Sequence, residues 1–213
     1  MIYEKNLIFL LCVLVLIPGL VACTAQGNSK SEGKQETTKI VSKTKKTTKK
    51  KDNSLTNMQQ IGTDEVGYVY VPKDWVKFTD QNGEGSYQYS AIDGYTIITM
   101  GGYTKETLGV DAIDEVTVKQ VADNYIGNMD ATGNFEGLTG SKAVITDYNT
   151  DASYQAYQVY GTSKVDGKLL CAWIFKTKKS NRVYLISLEG DKSSNIFANQ
   201  IAYVENSWSE SKK

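Results

Sequence analysis

The 213-residue chain contains no histidine, and only three cysteines, two prolines and one arginine. Without histidine, a Ser-His-Asp triad, a Cys-His pair and a His-ligated zinc centre are all impossible. No Gly-x-Ser-x-Gly elbow and no phosphate-cradling glycine loop occurs in it. No cofactor is expected, and none of its motifs marks an enzyme. The chain also lacks net charge: 24 Lys+Arg stand against 24 Asp+Glu. That zero is a cancellation. Glu4 and Lys5 offset each other, residues 24–60 carry nine lysines against three acids, and residues 61–213 carry 14 basic against 20 acidic residues, a net of −6. A body of that sign excludes nucleic acid as the expected partner, because phosphate contacts demand a basic face.

What is present begins with an address. Leu7 to Ile17 is an unbroken apolar run, broken by Pro18-Gly19 and too short to be expected to span a bilayer. A short apolar run followed by small residues reads as a signal peptide over 1–22. Leu20-Val21-Ala22-Cys23 resembles the bacterial lipobox. The resemblance implies cleavage between Ala22 and Cys23, and a thioether-linked diacylglycerol, with its palmitate-type chains, on Cys23. The expected location is the extracytoplasmic face of the cell membrane, with the membrane itself as a partner through the lipid. Only Cys171 would then be a free thiol, so no intramolecular disulfide is expected in the mature chain.

Residues 23–60 read as a tether. The segment is rich in Lys and Thr, with Thr44 to Lys51 of low complexity, and buries too little apolar surface to offset ordering entropy. A flexible chain of that length spans roughly 30–37 Å. Its lysines suit a solvated spacer first, and an electrostatic contact with anionic lipid or wall polymer second.

Residues 61–213 read as one domain. Strand signals run over 66–71, 75–79, 86–91 and 95–103. A helical period follows through Val118, Ala122, Tyr125 and Met129, with Asp114-Glu115 or Thr117 at its start. Four more strands are expected over 143–148, 154–163, 168–177 and 182–188, then a helix from 193 to 208 carrying Phe197, Ile201, Val204 and Trp208 on one face. Hairpin signals at Asp93-Gly94 and Val165-Asp166-Gly167 imply antiparallel pairing. The expected fold class is α+β, a central antiparallel sheet flanked by helices in an α/β/α sandwich.

Val-Gly-Tyr-Val-Tyr-Val-Pro-Lys-Asp-Trp at 66–75 resembles the opening of PsbP-like domains, and the element order over 61–213 is similar. The resemblance implies a sheet between helices and a partner-binding or assembly role, not an enzyme. It carries over no functional residue.

Three groups invite chemistry. Asp111, Asp114 and Glu115 suit a helix start better than a cation site, and lack calcium-loop spacing. Asp147 and Asp151 read as loop solvation. Cys171, on a strand face with Trp173 and Phe175, reads as a buried hydrophobe. The candidate ligand surface is Trp75, Tyr87 and Tyr89 beside the Gly83–Gly85 loop, where aromatic faces stack sugars or line an interface. The expected function is a non-catalytic binding or accessory module for an envelope protein or wall polymer. The alternatives are a carboxylate-dependent envelope glycan hydrolase, which needs two acids facing one cleft, and a structural spacer.

Overall fold

The computed structural model describes residues 53–78, 87–92, 94–191 and 193–213. The leader, Cys23, nearly all of the tether and the Gly83–Gly85 loop lie outside them.

A 3-10 turn at Asn53–Asn57 leads into a hairpin of β1 (Met58–Thr63) and β2 (Gly67–Pro72). The main sheet has seven strands in the order β3 (Val76–Phe78), β4 (Tyr87–Ser90), β5 (Ile97–Thr104), β9 (Arg182–Gly190), β8 (Leu169–Phe175), β7 (Ser153–Ser163) and β6 (Phe135–Thr146). Every pairing is antiparallel. Between β5 and β6 the chain forms a one-turn helix α1 (Lys105–Leu108) and then α2 (Glu115–Ala131). β6 to β9 run as a meander back toward β5, and α3 (Asn195–Ser207) closes the fold. The architecture is α+β.

Period two in the strands decides what each face buries. On β8, Cys171, Trp173 and Phe175 join Tyr184, Ile186 and Leu188 of β9 in the larger core, under α3 and the β1–β2 hairpin. Ala172 and Ile174 turn to the other face and meet Val118 and Ala122 of α2. Each fully buried large side chain contributes about 1.5–3 kcal/mol. The apolar run over 169–175 is thus a strand covered on both faces, as parallel-sheet strands usually are, inside an antiparallel sheet.

The helices begin where the sequence supplies acceptors. Asp114 caps α2: its Oδ1 accepts from Thr117 N–H at 2.8 Å, and Thr117 Oγ1 accepts from Asp114 N–H at 3.5 Å. Ser194 Oγ accepts from Ile196 N–H at 3.2 Å and caps α3. Trp208 closes α3 fully buried, edge-on to Phe175, Tyr184 and Tyr154 at centroid distances of 4.9, 5.0 and 5.9 Å. Gly67 makes this possible: its φ is +74°, and a Cβ there would sit 2.5 Å from Trp208 Nε1.

Several expectations need correction. β1 begins at Met58, ahead of the boundary at 61, so five strands precede α2 rather than four. Its polar positions hid it, because only Met58 and Ile61 are buried. β6 begins at Phe135, eight residues before Ala143. The first part is exposed edge, with a register shift between Glu136 and Thr139. Asp147 is not solvated: it is 3% exposed and accepts from the N–H groups of Asn149 and Thr150, both at 2.9 Å.

Candidate functional site

The surface that the sequence singles out lies at the β3–β4 margin of the sheet. Pro72 ends β2, and a tight turn returns the chain, with Trp75 N–H donating to Pro72 O at 3.1 Å. Gln59 on β1 fastens that turn through Nε2, which donates to Pro72 O at 3.1 Å and Trp75 O at 2.7 Å. Held this way, β3 enters as a three-residue edge strand, with Val76 and Lys77 exposed.

Register then sets the face. Lys77 lies opposite Tyr89, Tyr89 opposite Ile98, and Tyr87 opposite Met100. Ile98 and Met100 are core residues of the α3 side, so both tyrosines pack on that core while keeping part of their surface in solvent. Their ring centroids are 5.6 Å apart at 33°. Lys77 Nζ stands 4.7 Å from the centroid of the Tyr87 ring, a cation–π distance. Burial first, and then the neighbouring Tyr87 phenol, push the Tyr89 phenol up to about 12. Tyr89 therefore acts as a neutral hydroxyl.

Trp75 belongs to the same core at 3% exposure. In this conformation a ligand meets Tyr87, Tyr89 and Lys77, and the indole supports them from below. The arrangement offers ring faces, two phenol hydroxyls and one lysine. It suits stacking of a sugar ring, or docking of a partner's apolar or acidic side chain.

The other candidates resolve into structure. Asp114 is the α2 cap, and the N–H of Thr117 holds its carboxyl below the usual range. Asp111 and Glu115 are exposed beside it. Among the described residues, no group of three His, Cys, Asp or Glu is placed to hold a metal ion. Cys171 is fully buried, and burial pushes its thiol up to about 12, so it carries no nucleophilic thiolate at neutral pH.

One polar cluster escaped sequence reasoning. Glu205 Oε1 on α3 accepts from Trp173 Nε1 at 3.2 Å and from Gln158 Nε2 at 3.1 Å. Gln158, a buried amide on β7, was its only visible signal. The cluster ties α3 to β7 and β8.

No family model and no curated protein matches the chain. Among solved structures, it is similar to LpqN, involved in cell envelope biogenesis of Mycobacterium tuberculosis, at 16% identity and TM-score 0.41, covering 71% of this chain and 89% of that one. It is also similar to a point mutant of the protein Mog1, at 12% identity and TM-score 0.35, covering 71% and 86%. Overlaps this low carry neither fold family nor function across, and the α+β assignment rests on the strands and helices themselves.

Proposed function

We propose that this protein is a lipid-anchored lipoprotein on the extracytoplasmic face of the membrane, and that its domain is a non-catalytic binding or accessory module for an envelope protein or wall polymer. The apolar run from Leu7 and the Leu-Val-Ala-Cys sequence ending at Cys23 support the anchor. The PsbP-like opening at 66–75 supports binding over catalysis. The observation that carries the binding role is the half-exposed Tyr87–Tyr89 pair, with Lys77 set 4.7 Å from the Tyr87 ring on a short edge strand.

The test is a titration with purified wall glycan fragments and, separately, a cross-linking search for envelope proteins. The double variant Tyr87→Ala/Tyr89→Ala is run beside the parent chain, after its unfolding transition has been checked. Stacking contributes about 0.5–1.5 kcal/mol per aromatic pair, so loss of two such contacts should weaken binding by roughly fivefold or more. Equal binding by both proteins would remove the tyrosine surface from the account. Release of new reducing ends during the incubation would favour the hydrolase instead.

A further inference from the structure

The exposed apolar side chains are distributed unevenly. Seven large hydrophobics stand exposed among the described residues: Val76, Ile92, Tyr95, Val116, Val144, Val165 and Ile196. Five of them share one end of the sheet. Val76 opens β3 opposite Ser90, the last residue of β4. Ile92, 80% exposed, and Tyr95 lie in the turn from β4 to β5, and Val165, 75% exposed, tips the turn from β7 to β8. Ile196 lies in the first turn of α3, just after β9 ends. Antiparallel order places all these points on the same side of the strands. The two hairpin turns also touch, since the Tyr95 hydroxyl donates to Asp166 O at 3.0 Å.

The chain that precedes the fold arrives at this end. Asn57 O accepts from Lys73 N–H at 3.0 Å, in the connection that leads into β3. Asn57, just before β1, therefore lies beside the connection that leads to Val76, whose partner Ser90 precedes the turn that carries Ile92.

Lysines stand among the acids here: Lys73, Lys164 and Lys168 lie with Asp74, Asp166 and Asp191, and with Glu136 and Glu189 at the neighbouring ends of β6 and β9. Lys168 Nζ lies 4.5 Å from the centroid of the Tyr95 ring, an aromatic beside a cation, as at a headgroup boundary. The apolar residues sit on protruding turns rather than in a groove. That shape suits a soft, flat layer better than the side chains of a folded protein.

We propose that this end of the sheet docks on the lipid surface that carries the anchor, with Ile92 and Val165 entering the boundary between headgroups and acyl chains. The inference rests on the lipid-anchor reading above. Docking would hold the Tyr87–Tyr89 surface at a set height and orientation above the bilayer, which a free tether cannot do.

The test uses the full-length chain purified from membranes and reconstituted in vesicles of phosphatidylethanolamine and phosphatidylglycerol with brominated acyl chains. A fluorophore is placed by Ile92→Cys, by Val165→Cys or, at the opposite end, by Lys178→Cys; Cys171 is buried and does not compete. The expected result is at least twofold quenching at 92 and 165 with none at 178, abolished at 92 by a second substitution, Val165→Asp. Chains that float with the vesicles but are quenched equally at all three positions, or at none, overturn the docking and leave the anchor standing. Chains that do not float overturn the anchor and the docking with it. A label at 92 that is dark to bromolipid, yet cross-links to a protein in native membranes, gives the surface to a protein partner and also overturns lipid docking.

Discussion

At one end of the seven-stranded sheet, the turns after β4 and β7 leave Ile92 and Val165 in solvent. At the other, the loops after β6 and β8 are tied down by the C-terminal segment. Tyr148 N–H donates to Trp208 O at 2.7 Å, Asn149 Nδ2 to Ser211 O at 2.9 Å, and the Thr177 hydroxyl to Glu210 Oε1 at 3.4 Å. The difference is instructive because both ends are loops on the same sheet. The far end buries polar groups and gives most of them partners, Asp147 above all, with Trp208 Nε1 the exception: it is buried with no hydrogen-bond partner among the described residues. The tether end exposes apolar groups that nothing among the described residues covers. Where a chain leaves such surface beside the segment that leads into its fold, the missing contact is sought outside the domain.

Substitutions separate the two ends by size of effect. Trp208→Ala should be the most damaging. It removes a fully buried ring and its edge contacts to three aromatics, which costs about 3–5 kcal/mol. Denaturant unfolding measures this, and amide exchange over 147–152 should quicken with it. A loss below about 1 kcal/mol would mean that the C-terminal clasp does not hold the far end.

Asp147→Ala comes next. It strands the N–H groups of Asn149 and Thr150 and should cost about 1–3 kcal/mol, read from the same curves. Asp147→Asn, which keeps an acceptor, should recover part of that.

At the tether end, Glu189 makes the comparison depend on pH. Burial raises its carboxyl above the ordinary range, with Lys168 opposing and Asp166 adding. The folded state then holds the proton more tightly than the unfolded one. Stability from this group is full below the ordinary glutamate value and falls as pH rises through the raised one. Glu189→Gln should flatten that slope, so melting temperatures of variant and parent should converge in acid and separate at neutral pH. Parallel curves would show that the carboxyl is not desolvated.

The smallest effect on stability is expected at the turns proposed to dock on lipid. Ile92→Ser and Val165→Ser should each change unfolding by no more than about 0.5 kcal/mol, since neither side chain is buried. A larger loss would make these turns structural and weaken the contrast.

Much of the fold was legible in the sequence, for local reasons. The all-apolar run 169–175 marked a strand covered on both sides. Asp114 with Thr117 marked a helix start, and Phe197, Ile201 and Val204 marked the buried stripe of α3. β1 and the first part of β6 were not legible. Gln59 and Gln60 spoil alternation in β1, and β6 from Glu136 to Lys142 is exposed edge, with Gly137 at φ +62° beside the register shift. The tyrosine surface could be read in half. Period two placed Tyr87 and Tyr89 on one face, but only tertiary packing sends Trp75 into the core and brings Lys77 over the Tyr87 ring. The exposed end could be read only in pieces: the hairpin signals marked Val165-Asp166-Gly167 and the turn beside Ile92, but that the two turns share one end of the sheet follows only from the strand order. The link between Glu205, Trp173 and Gln158 spans 32 and 47 positions and exists only in the folded chain.

The most direct test of the account is the mass of the N-terminal peptide from chain extracted from its native membrane. The account predicts a peptide that begins at Cys23 and carries a diacylglyceryl thioether, absent from a Cys23→Ala variant. A membrane-bound chain whose N-terminal peptide still begins at Met1, with Cys23 unmodified, would contradict it.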